Sequence, residues 1–363
     1  MRQETGMGNW RPENYTRIRE ELAALPAPSP SNAASASNKP ACGQQPPCAV
    51  FDFDNTCIFR DIGQAMFRVQ LLELHYRIDP DTLAALIPAE GEALAGKPWP
   101  LLRSSILGYY RELWPLIQAG KREEAKASPA YRPFTTLFYW LVANARSAAL
   151  LGPRYVLSLL AKLQAGFTLQ ELDSLCVAVL KQVQGEPLAA RGLEVQLPEP
   201  LGAITVTYPT GLKPFAEMQA LFRLFQEHGL PCYVVSASSD WLVKTVAPRL
   251  GFAIATDKIF GVRTRMGAGE VVLPEEAPDY PLTYRAGKNE IIDRFIPGHP
   301  WFVAGDADTD YDMLTRPGVT LRLLINRQLP GLIAELYKQP DILLQGIDQT
   351  SGCFRPSSET LLA

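Results

Sequence analysis

The chain has 363 residues, of which 47% are hydrophobic and 20% are charged. This composition is typical of globular proteins and excludes a chain that is disordered throughout. Lysine and arginine number 35 against 38 aspartates and glutamates, so the formal net charge is -3 and no basic field favours nucleic acid as the main partner. The length exceeds one average domain, so we expect two lobes, or one domain with a large insert, and a small-molecule partner.

Cysteine content and apolar runs bear on the compartment. The six cysteines are too few for a disulfide-rich secreted scaffold, so we expect reduced thiols, although Cys42 and Cys48 are close enough along the chain to pair in an exported protein. The first residues contain no signal-peptide core, which indicates a cytoplasmic protein, or a periplasmic one if a leader has been removed. The apolar run from Phe134 to Leu151 contains an asparagine and an arginine, and we expect buried helices there and no membrane span.

The first predicted element is a short amphipathic helix over residues 10–25. The stretch from Pro26 to Pro47 is rich in Pro, Ser and Ala with almost nothing to bury, so it is predicted to be a linker. A strand is predicted at residues 48–54, because this segment is apolar at its start and acidic at its end, as in buried parallel strands that carry carboxylates.

From about residue 59 to 205 the pattern is helical, and after residue 205 helices and strands alternate. Helices are predicted at 211–229, 240–250 and 286–295, and strands at 232–236, 258–264, 301–305 and 319–326. Alternation of this kind predicts parallel strands with crossover helices, and ligands then bind at the carboxyl ends of the strands. The strand at 48–54 most economically joins this sheet, which makes the helical region an insertion.

Asp52 and Asp54 are two residues apart at the end of the first predicted strand, so in a regular strand they point to the same side. Two carboxylates this close can bind a divalent cation, or serve as nucleophile and general acid, because their surroundings push their pKa values apart. A solvated strand end is the alternative interpretation of this pair.

Other polar residues stand at the corresponding places of later elements. Ser236 ends an apolar strand, Lys288 opens the helix at 286–295, and Asp306 follows the strand at 301–305. A cation in the first turn of a helix is unfavourable for the helix dipole, which indicates another demand on Lys288, such as neutralising an anion. Strand-end carboxylates suit a hard cation such as Mg²⁺. Taken singly, each residue also has an ordinary structural interpretation. Ser236 is then a turn former, Lys288 an exposed lysine and Asp306 a solvated acid.

In combination and in this order, these residues resemble the haloacid dehalogenase-like phosphatase superfamily. Its four motifs match Asp52-Phe53-Asp54-Asn55-Thr56, Ser236, Lys288 and Gly305-Asp306 with Asp310. The resemblance implies an α/β fold, with a Rossmann-like doubly wound parallel sheet as the core and a large helical cap inserted after the first strand. The implied domains are an N-terminal helix and linker at 1–47, the core at 48–58 and 206–345, the cap at 59–205, and a C-terminal tail at 346–363.

The resemblance also implies roles for individual residues. Asp52 would be the nucleophile that takes the phosphoryl group, Asp54 would act as general acid and then base, and Lys288 would offset negative charge. Phosphate or substrate binding would fall to Thr56, Ser236, Ala237 and Asp61. Mg²⁺ would be bound at a site formed by Asp52, Asp54, Asp306 and Asp310, with Asp54 contributing its backbone carbonyl and Asp310 orienting a bound water.

The implied activity is Mg²⁺-dependent hydrolysis of a small phosphate ester, through an aspartyl-phosphate intermediate. Two alternatives stay open, a phosphotransferase or mutase of the same superfamily and a non-catalytic, ligand-binding relative. Within the superfamily the chain resembles the phosphoserine phosphatase-like branch. The flanking features that look like phosphorylcholine phosphatases are Trp10, Asn14, GVRTR at 261–265 and GCFRPSSET at 352–360.

Asp61 matches the acidic residue with which phosphoserine phosphatases meet the substrate amine, and an exposed loop acid is the alternative. Gly63 and Gln64 stand where phosphorylcholine phosphatases carry acids, so the substrate stays open among phosphorylcholine, phosphoserine and similar esters. A quaternary ammonium could also be held by aromatic rings, which at helical spacing are more often core: Tyr109, Tyr110, Trp114, Tyr139 and Trp140. The sequence leaves the oligomeric state open.

Overall fold

The structure is a computed structural model that describes residues 8–26, 45–148 and 151–362. Within these residues the strands are β1 (Pro47–Phe51), β2 (Ile58–Phe59), β3 (Ala93–Leu94), β4 (Lys97–Pro98), β5 (Ala189–Gln196), β6 (Ala203–Thr210), β7 (Lys213–Pro214), β8 (Cys232–Ser239), β9 (Ile259–Val262), β10 (Thr264–Met266), β11 (Val272–Glu276), β12 (His299–Gly305), β13 (Leu321–Asn326), β14 (Ile342–Asp348) and β15 (Cys353–Phe354). The α-helices are α1 (Pro12–Ala23), α2 (Ile62–Leu72), α3 (Pro80–Leu86), α4 (Trp99–Gln118), α5 (Arg122–Ala127), α6 (Tyr131–Ala145), α7 (Gly152–Lys162), α8 (Leu169–Gly185), α9 (Ala216–Glu227), α10 (Asp240–Arg249), α11 (Ala286–Phe295) and α12 (Tyr311–Leu314).

The central sheet has seven strands in the described residues, in the order β15-β14-β13-β12-β1-β8-β9. The pairs β1·β12, β1·β8, β12·β13 and β13·β14 are parallel, and the edge pair β14·β15 is antiparallel. The chain is therefore a mixed α/β protein with a mostly parallel central sheet, which confirms the predicted fold class. The strands β14 and β15 extend the sheet beyond the elements that the sequence pattern predicts.

Strand β1 lies between β12 and β8, and its apolar residues are buried. The ring of Phe51 lies 4.2 Å from that of Phe222 on α9 and 5.3 Å from that of Phe302 on β12. Each aromatic pair adds about 0.5–1.5 kcal/mol beyond the burial of its surface. This packing fixes the point at which β1 ends, and Asp52 follows directly, its N–H donating to the carbonyl of Ala304 on β12 at 2.9 Å.

The chain divides into two compact units. The first consists of the described residues up to Asp61, with Leu212–Gly261 and those from Pro281 onward, and it holds most of the central sheet. The second consists of Ile62–Gly211, as far as described, and Val262–Tyr280. The expectation of a helical pattern throughout 59–205 was wrong in two places, because β3 pairs antiparallel with β4, and β5 pairs antiparallel with β6. The predicted domain limits stay a prediction.

The long segment of the second unit, Ile62–Gly211, is flanked in the chain by two short strands, β2 and β7. Strand β2 pairs antiparallel with β7, with Ile58 opposite Pro214 and Phe59 opposite Lys213. The N–H of Phe215 also donates to the carbonyl of Cys57 at 3.1 Å. Since β2 begins four residues after Asp54, this pairing ties the loop that carries the two predicted catalytic aspartates to the returning chain.

Helix α1 packs against β14 near the C-terminal end of the chain. The side-chain amide of Asn14 donates to the carbonyl of Leu344 at 3.0 Å, and the N–H of Arg11 donates to the side chain of Gln345 at 2.9 Å. The ring of Trp10 meets that of Phe354 edge-to-face at 5.0 Å. Three residues of the flanking sequence features thus hold the ends of the chain on the sheet.

The remaining expectations concern the linker, the cysteines and the apolar segment. Residues 27–44 of the predicted linker lie outside the described residues, and Cys42 lies there with them. No cysteine in the described part of the chain forms a disulfide. Among the described helices, none combines the length and apolar character needed to cross a bilayer. The apolar segment that starts at Phe134 forms the largely buried helix α6.

Candidate active site

The first motif forms a tight loop immediately after β1. Asp52 is buried, with 4% of its surface exposed, whereas Asp54 is only half-buried. The loop is closed by the N–H of Cys57, which donates to the carbonyl of Phe53 at 2.8 Å, and Asn55 adopts a left-handed backbone conformation with φ of 58°. The strand predicted at 48–54 therefore ends at Phe51, and the two carboxylates lie in the loop, in different degrees of burial.

Lys288 lies at the centre of the buried charges. Its Nζ donates to Oδ1 of Asp52 at 2.7 Å and to Oδ1 of Asp310 at 2.5 Å, and its side chain is fully buried. Burial lowers the pKa of Lys288, but the two carboxylates outweigh this and raise it, so the amine stays protonated. The preceding Gly287 has no room for a side chain, because a Cβ there would lie 1.9 Å from the carbonyl oxygen of Leu282.

Asp306 follows β12 and is also buried. Its Oδ1 accepts a hydrogen bond from the hydroxyl of Thr56 at 3.0 Å, and its Oδ2 accepts one from Nη1 of Arg327 at 2.6 Å. The hydroxyl of Thr56 also lies 3.2 Å from Oδ2 of Asp52, so this residue sits between the two carboxylates. The predicted phosphate-binding threonine therefore contacts the acidic residues on both sides of it.

Asp310 is held by the backbone that precedes it. Its Oδ2 accepts hydrogen bonds from the N–H groups of Asp306 and Ala307 at 2.9 and 3.2 Å, while Oδ1 accepts from Lys288. At Gly305 a Cβ would lie 2.5 Å from the Cβ of Asp310, which explains why the residue before Asp306 is a glycine. Both oxygens of Asp310 are thus engaged in fixing its neighbours.

The carboxylates of Asp52, Asp306 and Asp310 offer oxygen atoms that lie within 4.8 Å of one another. Burial raises the pKa of Asp52 well above its usual range, Asp310 and Asp306 add to the rise, and Lys288 offsets only part of it. Burial also raises the pKa of Asp306, against the opposing charge of Arg327. Three buried carboxylates thus face two cationic side chains, an acidic cluster of hard oxygen donors that fits a divalent cation such as Mg²⁺ and a phosphoesterase site.

Asp54 receives a hydrogen bond from the neighbouring strand. The hydroxyl of Ser238 donates to its Oδ2 at 2.6 Å. Ser236 is fully buried inside β8, and its Oγ accepts from the N–H of Ser238 at 3.1 Å, with the half-buried Ala237 between them. Strand β8 continues to Ser239, three residues beyond the predicted end at Ser236, so all of these side chains come from one regular strand.

Asp61, the residue predicted to meet a substrate amine, is half-buried and is the last residue of the first of the three segments that form the first unit. Its negative charge lies close enough to Arg327 to contribute to the raised pKa of that guanidinium, which burial alone would lower. The roles assigned from the sequence stay predictions. They concern Asp52, Asp54, Thr56, Ser236, Ala237, Asp61, Lys288, Asp306 and Asp310.

The predicted aromatic residues divide by burial. Tyr110 is fully buried in the second unit, where its hydroxyl donates to the carbonyl of Ile78 at 2.6 Å, and Tyr139 and Trp140 are buried as well. Tyr109 and Trp114 are half-buried on the same helix as Tyr110. Tyr110 therefore serves the core of that unit, with its polar atom already satisfied.

Two residues that contact the predicted site residues, Ser238 and Arg327, are not among those predicted from the sequence. Ser238 belongs to none of the four motifs, although strand alternation places it on the same side of β8 as Ser236. Arg327 belongs to none of them either, although it is the first residue after β13 and therefore lies at the same edge of the sheet as the acidic motifs. Its position after a parallel strand is the signal that identifies it.

Comparisons with known proteins concern the fold. No family model and no curated protein matches the sequence. Among solved structures, a conserved protein of unknown function from Anaerococcus prevotii DSM 20548 is 23% identical, covers 98% of both chains and has a TM-score of 0.81. A phosphoserine phosphohydrolase-like protein from Francisella tularensis is 12% identical over 82% of this chain and 94% of its own, with a TM-score of 0.40. A substrate-bound phosphoserine phosphatase is 10% identical over 87% and 96%, with a TM-score of 0.38. The Anaerococcus protein thus shares the fold, and its function is unknown.

Proposed function

We propose that the protein is a Mg²⁺-dependent phosphomonoesterase that hydrolyses a small phosphate ester through an aspartyl-phosphate. One observation carries this proposal: Lys288 bridges Asp52 and Asp310 at hydrogen-bond distance in a fully buried site beside Asp306. These residues come from three separate parts of the sequence. Burying so many charges is costly unless they are paired, and a site for phosphoryl transfer needs this combination of nucleophile, cation and metal ligands.

The donor set supports a metal ion. Asp52 and Asp306 each present carboxylate oxygens to the cluster, in which three buried carboxylates face the two cationic side chains of Lys288 and Arg327. Mg²⁺ bound there would neutralise charge on the phosphoryl oxygens. Asp310, whose oxygens already accept three hydrogen bonds, would keep Lys288 and the Asp306 loop in place.

The two aspartates of the first motif divide the chemistry. In the first step an oxygen of Asp52 bonds to phosphorus, the bond from phosphorus to the leaving oxygen breaks, and Asp54 gives that oxygen a proton. In the second step a water attacks phosphorus, its proton passes to Asp54, and the bond to Asp52 breaks with release of inorganic phosphate. The half-buried position of Asp54, beside the buried Asp52, suits a group that must reach a leaving alcohol and then a water.

The test is hydrolysis of p-nitrophenyl phosphate with Mg²⁺ added or removed by chelation. We expect turnover only with the metal, and we expect Asp52→Asn to abolish it while circular dichroism shows an unchanged fold. Asp81→Asn changes an exposed aspartate of α3 in the same way and is expected to keep full activity. Full activity of Asp52→Asn, or turnover that is indifferent to chelation, would contradict the proposal.

The substrate within this class is proposed to be a small ester such as phosphorylcholine or phosphoserine. A Mg²⁺-dependent panel of such esters ranks them by kcat/KM. Adding a simple alcohol to the same assay separates hydrolysis from transfer, because a phosphotransferase would place phosphate on the alcohol in preference to water. No turnover of any ester across the panel would favour a ligand-binding protein that lacks catalysis.

A further inference from the structure

Arg60 lies in the loop that closes the first motif and has an unusual backbone. Its φ is 81°, in the left-handed region that costs about 1–3 kcal/mol for a residue with a side chain. Its carbonyl accepts a hydrogen bond from the N–H of Asn55 at 3.1 Å, which holds it against the segment that carries Asp52 and Asp54. Strained residues held in this way are concentrated at functional sites.

The guanidinium of Arg60 has no acidic partner among the residues described. It lies over the ring of Phe59, with Cζ 5.0 Å from the ring centroid, and its Nε is buried without any hydrogen-bond partner. Among the residues that the structure describes, none forms an ion pair with Arg60. Burial lowers the pKa of Arg60, and so does the neighbouring charge of Arg327. A buried donor without an acceptor costs about 1–3 kcal/mol, so an anion that binds there would remove a penalty present in the free protein.

Arg327 places a second guanidinium in the same neighbourhood. It follows β13 at the carboxyl edge of the sheet and donates to Oδ2 of Asp306 at 2.6 Å. Asp61 directly follows Arg60 in the chain, and its negative charge acts on Arg327. The carboxylate of Asp308 is engaged elsewhere, because it accepts a hydrogen bond from the N–H of Ile333 at 2.8 Å. Arg327 is thus partly compensated, and Arg60 is the donor that remains to be satisfied.

We propose that Arg60, supported by Arg327, binds a second anionic group of the substrate, a carboxylate or a second phosphate, beside the phosphoryl group that is transferred. This assignment rests on the proposed phosphatase function and narrows its substrate class to phosphate monoesters whose alcohol part itself carries an anionic group, which excludes phosphorylcholine, whose alcohol part is cationic. A guanidinium presents a planar fork of donors that matches carboxylate and phosphate oxygens.

The transferred phosphoryl group has other partners. Lys288 and Thr56 contact Asp52 directly, and the carboxylate cluster is the place for a cation, so neutralisation at phosphorus does not need Arg60. Arg60 stands eight residues after Asp52, and its contacts are with the ring of Phe59 and the N–H of Asn55, so its guanidinium is left for a part of the substrate other than the phosphoryl group. Its effect should therefore depend on the alcohol of the ester.

The experiment compares esters that differ only in the second anion. One arm sets 3-phosphoglycerate against glycerol 3-phosphate, and the other sets 1,3-propanediol bisphosphate against propyl phosphate, so that carboxylate and phosphate are distinguished. In at least one arm, we expect kcat/KM to be about tenfold or more higher for the ester that carries the second anionic group. This is the effect of one charge-assisted hydrogen bond. Arg60→Gln should lower that ratio towards one, and Arg60→Lys should retain part of it.

Control variants separate this role from a general disturbance. Arg111→Gln removes an exposed arginine of α4 and is expected to leave both ratios unchanged. Arg60→Asn removes the charge with a residue that tolerates positive φ, so it covers the case in which Arg60→Gln fails to fold. The inference is overturned if the wild-type protein shows no preference in either arm, or if the Arg60 variants slow all esters equally.

A binding measurement keeps the inference distinct from the proposed function. If p-nitrophenyl phosphate is not hydrolysed at all, the phosphatase assignment fails, and calorimetric titration with phosphonoacetate and ethylphosphonate then tests the subsite without turnover. Tighter binding of phosphonoacetate that disappears in Arg60→Asn supports the second-anion site. Equal binding of the two phosphonates overturns it.

Discussion

The two units of the chain differ in how their most buried charged residues are arranged. In the first unit, Lys288 and Asp310 are wholly buried and Asp52 is nearly so. In the second unit the ion pairs are mostly at the surface, as for Lys121 with Glu124, whose side chains are 54% and 59% exposed. Because taking a charge out of water is costly, a buried cluster persists only where it is well paired, and in the first unit its composition also suits phosphoryl transfer.

One pair in the second unit departs from this contrast. Arg68 is 5% exposed, and its guanidinium donates to both oxygens of Glu186 at 2.9 and 2.6 Å, with its Cζ 5.4 Å from the centroid of the Tyr208 ring. The pair joins α2 to the residue that follows α8, so it links the first and last helices of this unit. Buried charges thus occur in both units, but in the second unit Arg68 and Glu186 connect helices, and among its described residues no cluster of carboxylates surrounds them.

The largest effect is expected from Lys288→Met. Removing the amine leaves Asp52 and Asp310 buried without their common partner, and loss of one partner from a buried pair costs about 3–5 kcal/mol of unfolding free energy. Urea unfolding in the presence of a chelator, followed by circular dichroism, measures this change in unfolding free energy. The expected loss of phosphatase activity is about 100-fold or more, because a group that stabilises developing charge is removed. A loss of less than 1 kcal/mol would show that the buried charges in the first unit are not energetically coupled.

Arg68→Met tests the buried pair of the second unit. We expect the unfolding free energy to fall by about 2–4 kcal/mol, since Glu186 loses its bidentate partner while a part of its side chain remains in water. A fall in stability with unchanged kcat would support the structural interpretation of this pair. A large loss of kcat without loss of stability would contradict the contrast between the units.

The same pair predicts a pH dependence. Burial raises the pKa of Glu186, but the hydrogen bonds from Arg68 and Gly211 lower it more, so the pKa in the folded protein is below the usual value of 4.5. The stabilising contribution is therefore fully present above about pH 4.5 and is lost as the pH falls through the lowered pKa. Urea midpoints of the wild type and Arg68→Met should converge between pH 7 and pH 3. A constant difference over this range would show that the pair's charge is not the source of its stability.

A smaller, substrate-dependent effect is expected from Ser238→Ala. The hydroxyl of Ser238 holds the carboxylate of Asp54, so its loss should matter where the leaving group needs a proton. We expect kcat for propyl phosphate to fall about tenfold, as for one hydrogen bond to a charged group, and kcat for p-nitrophenyl phosphate to fall much less. Ser238→Thr should restore the alkyl ester activity. An equal loss on both esters would indicate a structural role only.

The smallest effect is expected at the surface of the second unit. Lys121→Ala removes one partner of the exposed pair with Glu124, which is worth about 0.2–0.5 kcal/mol. The change in unfolding free energy should lie within that range at low salt and disappear at high salt, because exposed charges are screened. A loss above 1 kcal/mol would remove the distinction between the two kinds of pair.

Local periodicity predicts much of the fold. The helix predicted at 286–295 has the observed bounds Ala286–Phe295, and α10 differs from its prediction by one residue, because both helices have clear apolar spacing and defined ends. The hairpin of β5 and β6 was missed because β5 is largely exposed and only its last four residues, from Leu193 to Gln196, alternate between apolar and polar. Burial against neighbours, which sequence spacing does not report, decides such segments.

The site was predictable as a set of residues and not as a set of contacts. Asp52, Lys288 and Asp306 follow from their places at strand ends and at a helix start. That Lys288 joins Asp52 to Asp310 depends on a separation of 236 residues along the chain, which only the sheet order brings together. The contact of Ser238 with Asp54 could not be predicted either, because it joins residues that are 184 positions apart along the chain.

The pairing of β2 with β7 has a consequence for how this architecture can change. The chain that leaves after Asp61 returns at Leu212, and both ends are joined by backbone hydrogen bonds between residues of the same unit. A segment exchanged at these two points needs only ends that lie about one strand spacing apart, roughly 5 Å. The segment between Asp61 and Leu212 is therefore exchangeable at its two ends, and grafting another helical segment there would change most of the second unit while leaving the loop that carries Asp52 and Asp54 unaltered.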